Sequence, residues 1–121
     1  MDPVENRQGA DEKKRLIQEY VPGKQVTLAH LIANPQPDLC ESLGVDRIGA
    51  IGIMTITPGE GSIIAGDIAS KAADVTIEFV DRFTGCVMIT GNVAAVEAAL
   101  TEAVEGLRRV LDFFPCRVTK T

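Results

Sequence analysis

The segment RIGAIGIMTI, residues 47–56, is almost wholly apolar once past its first arginine and has no polar face. A run that short and that apolar reads as a central β-strand covered on both sides, so the chain has to be built on a sheet. The clearest cover for that sheet lies further on. From Val93 the residues Val93, Val96, Leu100, Val104, Leu107 and Leu111 recur at spacings of three and four, which puts them on one helical face. Asn92 is placed to cap this helix, and Glu97, Glu102 and Glu105 precede Arg108 and Arg109. Acids thus stand toward the positive end of the helix dipole and bases toward the negative end, and the helix stops before Pro115.

The remaining elements follow from local chemistry. Val26 to Ala33 reads as an opening strand, with Val26, Leu28, His30 and Ile32 on one face and Thr27, Ala29, Leu31 and Ala33 on the other. NPQPDLCESLG gives a turn and one or two helical turns, with Leu39 and Leu43 on one side and Gly44 as C-cap. TPGEGSIIAGDIASKAAD opens a second helix, for which Thr57 as N-cap, Pro58 at N1 and Glu60 at N3 form a capping box. The same glycines invite a phosphate-loop reading, which fails. Ile64 stands where a dinucleotide fingerprint needs its third glycine, and Gly23-Lys24 is followed by Gln25 rather than Ser or Thr. VTIEFVDRFTGCVMIT, residues 75–90, is two strands joined at Asp81 to Gly85, and CRVTKT offers a last short strand. The resulting fold class is an α+β sandwich, a mostly antiparallel sheet with helices packed on it. Residues 1–15 are expected to be a flexible N-terminal tail, leaving 16–121 as a single domain.

Composition narrows the function. Of the 121 residues 45% are hydrophobic but only 4% aromatic, and the net charge is -5, with lysines and arginines scattered. Nucleic acid is therefore not an expected partner, and no stretch is long enough for a membrane span. An apolar excess of this kind in a small domain points to burial against other copies of the chain. Neither a secretory leader nor a membrane partner is read from the N-terminus, and the expected location is the cytoplasm. Cys40, Cys86 and Cys116 have no metal-ligand spacing and read as reduced thiols; no cofactor or metal is expected. His30, the one histidine, sits among aliphatic neighbours with no acid between Lys24 and Pro37, and reads as structural or interfacial rather than catalytic. Two other functions stay open on the residues alone. One is an oligomeric small-molecule sensor; the other is an enzyme using His30 with Cys86 or Cys40.

The stretch GAIGIMTITPGEGSIIAGDIASKAADVTIEFVDRFTGCVMITGNVAAVEAAL resembles the core of the bacterial microcompartment shell-protein domain. In ordinary members a strand ending in His-Val-Ile-Pro-Arg-Pro follows the long helix; here the similar AHLIANP precedes the core. That order, with IQEYVPGKQVTLAHLIANP, is similar to the circularly permuted subclass of the ethanolamine-utilization and propanediol-utilization type, over about Leu16 to Thr121.

The resemblance implies a non-enzymatic tile, a cyclic homohexamer in the shell of a microcompartment. Its partners would be copies of itself, other shell proteins and encapsulated enzymes. Lys71 resembles the lysine of the family's KAAN segment at the hexamer edge, with Asp74 standing where many members have Asn and Asn34 where standard tiles have an edge Arg. Arg82, Phe83, Thr84 and Gly85 match the loop that rings the sixfold axis and are pore candidates. Leu16, Ile17, Gln18, Glu19, Tyr20 and Val21 resemble the segment that forms a small axial β-barrel over the pore. Gly49, just before the buried strand, tolerates torsions that a β-branched residue resists. It is the hinge candidate at which the hexamer would depart from strict sixfold symmetry.

Overall fold

The computed structural model describes residues 23–46 and 49–121. The expected tail at 1–15 and axial strand at 16–21 lie outside these residues. The elements in chain order are β1 (Gln25–Ala33), α1 (Pro37–Leu43), β2 (Ala50–Thr57), α2 (Gly61–Ala72), β3 (Thr76–Asp81), β4 (Cys86–Gly91), α3 (Val93–Leu111) and β5 (Thr119–Lys120). The strands form one sheet in the order β3-β4-β2-β1-β5, antiparallel throughout except that β5 runs parallel to β1. The most apolar segment of the sequence is thus its central strand, and the α+β architecture stands as expected.

Helices α2 and α3 lie on one face of the sheet. Between the layers are Met54 and Ile56 of β2, Val87 and Ile89 of β4, Val26, Ala29 and Leu31 of β1, and the α3 stripe of Val96, Leu100, Val104 and Leu107. Small residues set how closely the helices pass: Ala65 and Ala69 of α2 and Ala99 and Ala103 of α3 are fully buried. Asn92 caps α3 through its Oδ1, which accepts from the Ala95 amide at 2.8 Å. At the far end Asp112, at φ +63°, turns the chain out of the helix. Along the exposed side Glu105 pairs with Arg108, and Glu102 with Arg109 at 3.8 Å.

Three local expectations are corrected and one is refined. First, α2 begins at Gly61 and carries no side-chain cap, because Thr57 is still paired with Gln25 in the ladder. The amides of Gly61, Ser62 and Ile63 donate instead to the carbonyls of Pro58, Gly59 and Glu60, a tight i→i+3 lead-in that leaves a capping box nothing to do. Second, a β-bulge between Val26 and Leu28 shifts the alternation of β1. Val26 joins Ala29 and Leu31 in the core, while Leu28 and His30 face the other way. Third, the side of α1 that Leu39 and Leu43 share is its exposed one and Cys40 is its buried residue, while Gly44, at φ +74°, ends the helix as expected. Fourth, β2 is covered on both faces only at its start. Ile51 is fully buried, but beyond it Ile53 and Thr55 are half-buried, since both described long helices lie on the opposite face.

Leu100 is fully enclosed between α3 and the sheet. Leu100→Ala should therefore destabilise the fold by about 2–5 kcal/mol, read as an earlier midpoint in chemical denaturation.

Candidate functional site

The candidate residues separate to opposite ends of the strands. At one end Ala33 pairs with Ala50 and Ala50 with Gly91. Beyond this rung the Asn34 amide donates to the Gly49 carbonyl at 2.7 Å, with Asn34 itself at φ +50°. Asp74 reaches the same end, since a side chain at Gly91 would come within 3.2 Å of the Asp74 carbonyl. Lys71 stands in the last turn of α2, three residues before Asp74, and its Nζ meets Asp67 Oδ2 at 2.9 Å. The lysine side chain is 75% exposed, so this i,i+4 pair contributes little and leaves the ammonium accessible. Gly49 supplies room, because a Cβ there would lie 3.1 Å from Asn92 Cα.

At the other end Gln25 pairs with Thr57, and Thr55 and Asp81 both pair with Cys86. The turn Asp81–Gly85 closes this end, about 25 Å from the first along an eight-residue strand. Asp81 organises it. Its Oδ1 accepts from the Phe83 amide at 2.9 Å and its Oδ2 from the Thr84 hydroxyl at 2.9 Å. The Phe83 amide, followed by the Thr84 hydroxyl, holds the Asp81 carboxyl below the ordinary carboxylate range. Gly85, at φ +80°, donates its amide to the Asp81 carbonyl and accepts from the Ile56 amide. A Cβ on Gly85 would sit 1.9 Å from the Ile56 carbonyl oxygen, so the turn is locked onto β2. Arg82 and Phe83 are left to project, with the guanidinium 5.1 Å from the centre of the Phe83 ring. Arg82, Phe83, Thr84 and Gly85 are therefore one rigid turn, while Asn34, Gly49, Lys71 and Asp74 lie at the opposite end.

No nucleophile–base arrangement accompanies these features among the described residues. His30 is held between two hydroxyls, Nδ1 at 2.6 Å from Thr119 Oγ1 and Nε2 at 2.8 Å from Thr121 Oγ1, and so ties the C-terminal segment to β1. Burial pushes the Cys86 thiol up, with the Asp81 charge adding to it, and burial alone pushes up Cys116; neither favours a thiolate. No cluster of three or more His, Cys, Asp or Glu able to hold a metal occurs among the described residues.

The BMC domain model matches residues 50–117, which runs from the start of β2 past the end of α3. The chain belongs to the BMC-domain family. The bacterial microcompartment shell protein EutS of Escherichia coli (strain K12) is 59% identical over 110 residues, 91% of this chain and 99% of that protein. The shell protein PduU of Salmonella typhimurium (strain LT2) is 59% identical over 108 residues, 88% of this chain and 93% of that one. Among solved structures, a CutR flat hexamer superposes with a TM-score of 0.81 at 51% identity, covering 88% of this chain and 99% of that one. As a BMC-domain protein with such relatives, the chain is a structural shell protein of a bacterial microcompartment and not an enzyme. None of its described helices is long and apolar enough to cross a membrane.

Asp81, the organiser of the turn in this BMC domain, is not among the site residues expected from the sequence. The signal was present: an aspartate three residues before a threonine and four before a glycine is a self-bonding turn pattern. Thr119 and Thr121 were invisible as partners of His30, 89 and 91 residues away in sequence.

The Asp81 carboxyl ionises lower in the folded turn than in the unfolded chain. Its contribution is thus present above the unfolded value of about 3.9 and is lost as pH falls through the lower folded value. The Phe83 amide resonance should titrate with a midpoint below that of an ordinary aspartate, and Asp81→Asn should abolish the titration.

Proposed function

We propose that the chain forms a cyclic homohexameric tile in the microcompartment shell, with Arg82, Phe83, Thr84 and Gly85 around the axis and Asn34, Lys71 and Asp74 on the perimeter. The separation of these two groups to opposite ends of the strands carries the reading. A ring built from wedge-shaped copies needs one end of each wedge at the centre and the other at the rim. The flat hexamer formed by CutR, at 51% identity, supports the hexameric assembly.

The chain enters β1 through Gly23 and Lys24 at the axial end, where Gln25 pairs with Thr57. Residues 16–21 lie a few residues upstream, within about 3.5 Å per residue of that point, so six copies of LIQEYV can meet over the axis. We propose that they close a barrel that caps the pore, each strand pairing between subunits. The order of the elements favours a circular permutation. The family match begins at residue 50, yet β1, which precedes it, is the neighbour of β2 in the sheet. Gly49 would serve as the pivot of the hexamer, since it lies just before β2, beside the Asn92 backbone, and tolerates torsions that a β-branched residue resists. Other shell proteins are the proposed lateral partners, and encapsulated enzymes the proposed contents facing the tile.

Two experiments test this reading. Lys71→Asp changes an exposed side chain and should alter folding stability by no more than about 0.5 kcal/mol. It should leave the hexamer intact in sedimentation while lowering its incorporation into shells; loss of the hexamer itself would remove Lys71 from the perimeter. Deleting residues 1–20 should keep hexamers and raise solute passage through a planar bilayer or shell preparation. A truncated chain that becomes monomeric would make LIQEYV a structural strand of the domain instead of a cap.

A further inference from the structure

Lys71 has a partner on its own helix, and that partner lies on the wrong side of it for a contact at the perimeter. Helix α2 runs from the axial end of the strands to the opposite one. Near its start the Ser62 hydroxyl donates to the Asp81 carbonyl at 3.4 Å, and just past its last turn the Asp74 carbonyl stands beside Gly91. Lys71 is the last residue but one of α2, and its Nζ meets Asp67 Oδ2 at 2.9 Å, one turn back toward the axial end. Four residues of helix rise about 6 Å, and the Cα–Cβ bonds of a helix tilt toward its start. The pair therefore folds the lysine inward along α2, away from the end that Asn34 and Asp74 share.

The surroundings act in the same direction. Asp67, Ile68, Lys71 and Ala72 of α2 and Ala98 and Glu102 of α3 line a groove of about 480 Å³ between the two helices. These six residues bring two carboxylates and one cation. Arg109 draws on Glu102 only at 3.8 Å, a loose contact, so the groove keeps a negative bias that favours the ammonium inside it.

An ion pair within one chain can act on a contact between chains in two opposite ways. It can hold a side chain in the posture the contact needs, or hold it out of that posture and compete with the partner. Posture decides here. With Lys71 75% and Asp67 55% exposed the pair is weak and readily broken, yet a lysine that reaches past the end of α2 has to leave it.

We infer that Asp67 is an internal competitor for Lys71, a brake on lateral contact between tiles. This rests on the perimeter reading of Lys71 above and adds to it the residue that limits how strongly the perimeter binds. An exposed i,i+4 pair is worth about a factor of two in equilibrium. A ring of six copies carries it at every edge, so a small effect per chain becomes measurable per tile.

Asp67→Asn keeps the shape of the side chain and removes its charge, and Asp67→Ala removes the carboxylate while favouring the helix. Each variant is expressed at a matched level with the other shell proteins, sedimentation checks that hexamers persist, and quantitative mass spectrometry gives the amount of tile per purified shell. Both should raise incorporation by about twofold or more over wild type. Lys71→Gln should lower it, and adding Asp67→Asn to Lys71→Gln should change nothing further. Incorporation that stays level or falls in intact Asp67→Asn and Asp67→Ala hexamers overturns the brake, and a fall would mean that Asp67 positions Lys71 for the contact. A gain that survives in the double variant also overturns it, because the carboxylate then acts on something other than Lys71. If Lys71→Gln incorporates like wild type, the perimeter reading itself fails, a result distinct from either.

Discussion

At Gly52 the central strand passes so close beneath α3 that an added Cβ would lie 2.8 Å from Val96 Cγ1 and 2.9 Å from Ile89 Cγ1. The helices approach each other in the same way, with Gly106 of α3 facing Ile68 of α2 at a distance that would leave a Cβ 3.0 Å from Ile68 Cδ1. A core made of alanine, valine, isoleucine and leucine, with Phe113 its one buried aromatic among the described residues, draws two helices down onto a sheet without bulky spacers. The result is a thin two-layer plate. Its stability comes from area of contact and not from depth, so a loss anywhere along α3 is felt across the sheet.

A thin plate has little interior in which to enclose a substrate, and its chemistry agrees. His30 is satisfied by threonine hydroxyls, and Cys86 and Cys116 are pushed away from the thiolate form by burial. What the plate offers is a rim. The strands hold the Asp81–Gly85 turn at one end and Asn34, Gly49 and Asp74 at the other, and the rigidity of the ladder fixes the distance between them. In the tile proposed here, the separation of these ends would set which residues meet at a centre and which meet neighbouring tiles.

The turn shows how local chemistry serves that geometry. Asp81 uses its carboxylate on the turn's own amide and hydroxyl donors, which leaves Arg82 projecting without that acid as its partner. Gly85 lets the chain double back against Ile56, a contact that any side chain would block. A five-residue connection is thereby made stiff enough to carry exposed groups in a defined direction.

Much of this was determined by sequence alone. The apolar run at 50–56 had to be the middle of a sheet, the three-and-four spacing of Val96, Leu100, Val104 and Leu107 had to be a buried helical face, and Asn92 and Gly44 had to mark helix ends, because each depends on residues within one or two turns of one another. The similarity of residues 49–100 to a known domain added the kind of assembly to expect. Tertiary structure decided the rest. The bulge that turns Val26 inward, the start of α2 at Gly61 and not at a Thr57 cap, the exposure of Leu39 and Leu43, and the threonine partners of His30 all depend on which segments lie opposite one another in space. Such pairings are set by the balance of the whole sheet and its helices, and a residue carries no local mark of a neighbour that the fold brings to it from 90 positions away.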